Sequence, residues 1–241
     1  MDTSARGQLN KVLQLLKKAY PNAKIVLKYN NPWELFVAVV LSAQCTDVMV
    51  NKVTEKLFAK YRSLEDYIRA DIREFEQDIK STGFYHNKAK HIIAAAKLIK
   101  GKFGGIVPKT MEELLTLPGV ARKTANVILG NAYEVVEGIA VDTHVGRLSQ
   151  RLRLVDLATV GGKKELTFTD ARNRQKIDYK KDADPVKIER QLMEVVPKSD
   201  WFALTYLLID HGRALCKAQK PHCGDCVLSG LCPASRYEIP P

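Results

Sequence analysis

Four of the five cysteines fall within seventeen residues: Cys216, Cys223, Cys226 and Cys232, spaced C-x6-C-x2-C-x5-C. Thiols this near in sequence can converge on one metal centre with little loop-closure entropy. Structural zinc and a 4Fe–4S cluster both take four cysteine ligands. Zinc sites more often join two C-x2-C pairs. This stretch has one such pair with longer arms, and Gly224 and Gly230 to turn them. The spacing leans toward iron–sulfur and leaves zinc open. Arg213, Lys217, Lys220 and His222 are interleaved with the thiols. These groups can balance a thiolate centre, touch a phosphate backbone, or do both. Cys45 stands apart in an apolar stretch and reads as a packed core thiol.

The second signal runs from Leu117 through Pro118, Gly119, Val120, Ala121 and Arg122 to Lys123. Pro followed by Gly is the signature of a type II turn, in which glycine takes the positive φ. A short helix precedes this turn and another follows it. The N–H groups opening the second helix lack intrahelical partners and make an anion site suited to phosphate. Lys123 lies in that helix's first turn, where the partial positive charge opposes an ammonium. The field favours a neutral amine, which is a nucleophile able to form a Schiff base. Asp142 opens Val-Asp-Thr-His-Val and is a natural N-cap. A carboxylate so placed stays ionised and can stabilise a developing cation.

Helical periodicity supplies the elements that hold these groups. Leu9, Val12, Leu13, Leu16 and Tyr20 share one face of a first helix. Asn31-Pro32 opens a second, with Asn as cap and Pro at the first helical position. Asp47 precedes a third, running to about Tyr61. Asn87 precedes a longer one with Ile92, Ile93, Ala96, Ile99 and Phe103 in register, stopped by Gly104-Gly105 and Pro108. Thr110 and Glu113 form a capping box. Further helices are predicted over 122–133, 142–152, 185–195 and 199–217. Strand alternation occurs only within 161–182, at Leu166/Phe168 and Ile177/Tyr179 around a polar middle, 171–174. That segment reads either as a short hairpin or as a charged disordered insertion. The class is all-α, with one connection too long for a simple helix–helix loop.

The chain has 241 residues, 46% hydrophobic, with a formal charge of +11 and a pI near 9.4. That composition excludes wholesale disorder, and the charge suggests a polyanionic partner. The most apolar run, Leu35 to Leu41, is far shorter than the ~20 residues of a membrane span. The N-terminus lacks a secretory apolar core. The expected setting is the cytoplasm, at the nucleoid of a prokaryote, where disulfides are rare.

Taken together, these residues resemble the endonuclease III family of DNA glycosylases, in the helix-hairpin-helix superfamily. The matching stretches are 41–47 (Leu-Ser-Ala-Gln-Cys-Thr-Asp), 83–89 (Gly-Phe-Tyr-His-Asn-Lys-Ala), the hairpin 117–126, 140–144 (Ala-Val-Asp-Thr-His), 211–213 (His-Gly-Arg) and the four cysteines. The resemblance covers nearly the whole chain except 157–182. It implies two helical domains with a DNA cleft between them: a six-helix barrel over 25–136 holding the hairpin, and an iron–sulfur domain of 1–24 with 137–241. It also decides for a 4Fe–4S cluster over zinc.

The implied activity is base excision repair on double-stranded DNA holding a damaged pyrimidine or an abasic site, by a monomer without membrane contact. By the resemblance, Lys123 is the Schiff-base nucleophile and Asp142 the essential carboxylate. Gln44 fills the gap left by the flipped base, and Phe84 wedges from the opposite side. Gly119 and Ala121 donate backbone N–H groups to phosphate, and His144 and Asp47 line or support the pocket.

Two departures stand out. Ala121 replaces the hairpin's usual second glycine, and a positive φ there would cost roughly 1 kcal/mol. The insertion 161–182 holds seven Lys/Arg against four Asp/Glu. It can extend the DNA contact, cover the cleft, or be a neutral loop, and the last is the favoured reading. Rival functions are a monofunctional mismatch glycosylase, whose relatives lack this lysine, and a non-catalytic iron–sulfur DNA-binding or electron-transfer module, which would need neither Lys123 nor Asp142.

Overall fold

The computed structural model describes residues 3–170 and 174–236. In chain order the helices are α1 (Thr3–Ala19), α2 (Pro32–Leu41), α3 (Asp47–Lys60), α4 (Leu64–Arg69), α5 (Ile72–Asp78), α6 (Tyr85–Lys102), α7 (Met111–Leu114), α8 (Arg122–Ala132), α9 (Thr143–Arg151), α10 (Pro185–Val195) and α11 (Trp201–Ala214). The strands are β1 (Glu165–Thr169) and β2 (Gln175–Lys180), paired antiparallel with a register shift between Leu166 and Thr167. The class is all-α with one small hairpin. Its tip, 171–173, lies outside the described residues. Among the described residues no helix is long and apolar enough to cross a membrane. The chain divides into two compact units, one of residues 1–24 with 138–241 and one of 25–137.

In the unit 25–137, α2 is the enclosed element. Leu35 through Leu41 are all buried, which explains a run with no amphipathic period. Helices α3, α6 and α8 pack around it. Asn31 caps α2 by accepting from the Glu34 N–H at 2.9 Å. Two short helices escaped the sequence reading. Ser63 and Asp66 form a capping box that starts α4, and Asp71 caps α5. Each runs six or seven residues, too short for a 3.6-residue period to show. Their Tyr67 and Phe75 close an aromatic group with Trp33, Phe36 and Tyr61, ring centroids 5.1–5.8 Å apart.

Three expected positions move. Helix α3 begins at Asp47 itself, with Thr46 as its cap. Helix α6 begins at Tyr85, before Asn87, because Phe84 in a left-handed conformation already turns the chain into it. Cys45 lies beyond the end of α2 in a turn and is half-buried, so it is not a core thiol.

In the other unit, α1 packs against α11, and α9 against α10, α11 and β2. Leu9, Val12, Leu13 and Leu16 of α1 join Val145 and Leu148 of α9 and Leu204, Leu207 and Leu208 of α11 in one apolar core. Helix α11 ends at Ala214, short of the expected 217, as the chain turns into the cysteine loop with the Leu215 carbonyl accepting from the His222 N–H at 3.0 Å.

The aromatic group is a buried part of the unit 25–137. Phe75→Ala deletes a side chain with no solvent exposure. It is expected to cost about 3–5 kcal/mol, read as a lowered denaturant midpoint at unchanged slope. A loss below about 1 kcal/mol would show that the group does not carry this packing.

Candidate active site and cysteine cluster

In the unit 25–137 the hairpin is a tight corner. The Val120 N–H donates to the Leu117 carbonyl at 3.2 Å, with Pro118 and Gly119 between. Gly119 has φ +81°, the glycine position of a type II turn. A Cβ there would stand 3.0 Å from His91 Cβ, so crowding adds to the strain that the positive φ imposes on any other residue. Ala121 is the N-cap of α8 at φ −106° and ψ 171°, extended backbone open to any residue. The strain considered for alanine at this position is therefore absent. Ala121 offers no side-chain acceptor, so no side chain caps the start of α8. Lys123 is the second residue of that helix and is half-buried.

Gln44 and Phe84 share a feature that sequence did not announce. Both hold positive φ without being glycine, +54° and +49°. An L-residue there costs about 1–2 kcal/mol. Both are exposed, Phe84 at 62%. Between the bases of their two segments lies Lys88, 4% exposed, whose Nζ donates to the Leu41 and Thr82 carbonyls at 2.8 Å each. Burial lowers the pKa of this amine from the ordinary lysine value. One buried cation thus holds both segments. Sequence reasoning missed Lys88; the available signal was a lysine in register with Ile92, Ala96 and Ile99 on the buried face of α6. Asp47 stands half-buried in the first turn of α3, where the Thr46 hydroxyl accepts from the Met49 N–H at 3.3 Å.

In the other unit Asp142 caps α9. Its Oδ1 accepts from the His144 and Val145 N–H groups, each at 2.8 Å. Both cap bonds go to Oδ1, and Oδ2 lies outside them. His144 packs inward. Its Nδ1 lies 3.2 Å from Arg147 Nη2. A Cβ on Gly212 of α11 would come within 2.6 Å of the same ring nitrogen. His144 is therefore held by its own unit, and Gly212 is the small residue that admits it.

The four cysteines share one loop after α11, with no disulfide. The Arg151 Nη1 donates to Cys216 Sγ at 3.3 Å, and the Leu228 N–H to Cys226 Sγ at 3.4 Å. His211 bridges the Tyr20 hydroxyl (2.9 Å) and Cys226 Sγ (3.4 Å), and burial pulls its imidazole down to about 4. Burial, and then the other cysteine sulfurs, push the Cys232 thiol up to about 12. Among the described residues no three acids, histidines or cysteines are drawn tightly enough to hold one ion. Gathered thiols that raise one another's pKa are the state a cationic core relieves, since ligation needs thiolates and couples to folding. Four cysteines in one loop, with a guanidinium on Cys216 Sγ and a backbone N–H on Cys226 Sγ, fit an anionic metal–thiolate group.

The fold and hairpin agree with the comparisons. Residues 37–167 match the HhH-GPD superfamily of base excision DNA repair proteins, and residues 216–232 match the iron–sulfur binding domain of endonuclease III. The fold and the hairpin thus define a helix-hairpin-helix base excision DNA repair protein. Endonuclease III of Synechocystis is 46% identical over 97% of this chain and 95% of its own. That of Bacillus subtilis is 43% identical over 93% and 91%. A structure of a trapped endonuclease III–DNA covalent intermediate aligns with TM-score 0.82 at 41% identity, covering 98% of each chain. The chain belongs to the endonuclease III family. It is a base excision DNA glycosylase with abasic-site lyase activity, and its cofactor is a 4Fe–4S cluster.

Removing the buried amine tests the link between the two strained segments. Lys88→Met should speed amide exchange in 42–46 and 81–85 and leave 117–124 unchanged, with a stability loss of about 1–3 kcal/mol. Unchanged exchange in both segments would show that Lys88 does not hold them.

Proposed function

We propose that Lys123 is the nucleophile of a bifunctional glycosylase/lyase that removes oxidised pyrimidines from double-stranded DNA. The observation that carries this reading is the lysine in the first turn of α8, behind a type II turn at Gly119 and without a capping side chain. The N–H groups there suit a phosphate oxygen, which fixes position without reading sequence. Gly119 and Ala121 contribute to that contact.

The flipped nucleotide offers C1′ to the Lys123 amine. The C1′–N bond breaks as the Nζ–C1′ bond forms, and the base leaves with the electron pair and takes up a proton. Opening of the sugar gives an imine with Lys123 Nζ. Loss of a proton from C2′ then expels the 3′ phosphate by β-elimination, and water releases the amine. Asp142 stabilises positive charge at the sugar and takes the proton lysine must lose. Gln44 fills the vacated position in the stack. Phe84, exposed, stacks on the orphan base. Asp47 and His144 support the pocket walls. The cysteines Cys216, Cys223, Cys226 and Cys232 hold the cluster, which supplies structural organisation and charge to its loop. The enzyme works as a monomer at the nucleoid, and its net charge of +11 favours encounter with DNA.

The test uses a duplex with one thymine glycol. Wild type should release the base, cut the strand and give a covalent adduct with borohydride. Lys123→Ala should give no adduct and no cut above background. Asp142→Asn should slow turnover by about 10²–10⁴-fold while still binding. An adduct that persists in Lys123→Ala overturns the assignment, and base release without trapping in wild type makes the enzyme monofunctional.

A further inference from the structure

The insertion 161–182 is tied to the cysteine loop through its second strand. Arg151, the last residue of α9, forks onto Asp178 of β2: Nε to Oδ1 at 2.8 Å and Nη2 to Oδ2 at 2.7 Å. Both side chains are almost wholly buried, 2% and 3% exposed. The same Nη2 donates to the Ala218 carbonyl at 2.9 Å, and Nη1 donates to the Lys217 carbonyl at 2.8 Å and to Cys216 Sγ at 3.3 Å. A guanidinium has five N–H donors, and here each has a partner. Tyr179 lays its ring against the guanidinium, 5.1 Å from its carbon. The Arg151 carbonyl faces Cys232 Sγ at 3.7 Å. One arginine therefore touches two of the four cysteines, and a carboxylate from the hairpin holds it there.

The hairpin itself is anchored. Gln150 pairs both ways with the Lys180 backbone, donating to its carbonyl at 3.2 Å and accepting from its N–H at 2.8 Å. Arg153 donates to the Asp178 carbonyl at 3.1 Å. Arg236 adds a second cation on Asp178 Oδ2 at 3.1 Å and lies over the Phe168 ring. A buried ion pair is costly to form and more costly to break on one side. The geometry is also directional: two oxygens of one carboxylate fix the guanidinium plane, which fixes where Nη1 points.

We propose that the β1–β2 hairpin is the outer wall of the iron–sulfur site, with Asp178 and Tyr179 locking the Arg151 guanidinium against Cys216, so that this insertion governs cluster retention and reduction potential. The inference rests on the four cysteines being the cluster ligands. The physical basis is that partners behind a ligand orient it and tune the centre, and that hydrogen bonds and cations at the sulfurs raise a cluster's potential. Asp178 and Arg151 are positioning residues for the cofactor and take no part in bond cleavage.

The experiment uses purified holoenzyme. Cluster absorbance is followed during exposure to ferricyanide with an iron chelator, and the potential is read by protein-film voltammetry. Asp178→Asn and Arg151→Met should each speed cluster loss by about 10–100-fold, and Arg151→Met should lower the potential. Because Asp178 acts through Arg151, the double variant should lose its cluster no faster than Arg151→Met alone. Lys176→Ala, on the same strand and ion-paired with Asp170, should match wild type. If Asp178→Asn does not fold, Tyr179→Leu, which keeps the ion pair and unstacks the guanidinium, should show faster loss in its place. A wild-type loss rate and potential in Asp178→Asn, or in Tyr179→Leu where that variant stands in, would overturn the proposal, as would additive effects in the double variant. Absence of iron and sulfide from the wild-type protein would instead remove the ligand assignment, and the inference with it.

Discussion

The turn at Gly119 decides where α8 begins, and the beginning of α8 decides what Lys123 can be. This type II turn puts one residue at positive φ, and a Cβ there would crowd His91 at 3.0 Å. The helix that follows has no capping side chain, so its first N–H groups keep their appetite for an anion. The turn thus fixes the start of α8 and, with it, the place of Lys123 in the first turn of that helix. Ala121 shows which part of the motif is rigid: its extended backbone is open to alanine, while Gly119 is not replaceable without strain.

The other unit solves a different problem, the burial of charge. Arg147 and Arg151 project from one face of α9 toward Cys216, and both bond to backbone carbonyls of the cysteine loop, at Cys216 and at Lys217 and Ala218. Buried guanidiniums are tolerable only when fully partnered. The partners come from the loop that carries the four cysteines and, for Arg151, from the hairpin. Loop, helix and insertion are thus mutually required. Metal binding and folding of this region should be linked, as they are wherever ligands gather only in the native state.

Much of this was readable from residue types. The capped starts of α2, α7 and α9, the turn at Gly119, and the four-cysteine loop all follow from local chemistry that acts over three or four residues. Helices α4 and α5 were not readable, because six or seven residues do not display a period and their caps, Ser63 and Asp71, are common residues. The positions of Gln44 and Phe84 were found only by resemblance. Their left-handed backbone has no local sequence signal, and the segments before them are tied by the Lys88 amine, which reaches carbonyls 47 and 6 residues away. The Arg151–Asp178 pair is likewise non-local, joining residues 27 apart. Charge counting over 161–182 saw a net basic loop and could not see that one of its carboxylates is buried.

The most direct test of the central claim is to locate the covalent bond. Wild-type protein trapped on abasic duplex with borohydride, then digested with nuclease and protease, should carry the sugar remnant on the peptide containing Lys123, fixed to Nζ by fragmentation. A remnant on another lysine, or on the N-terminal amine, would contradict the account.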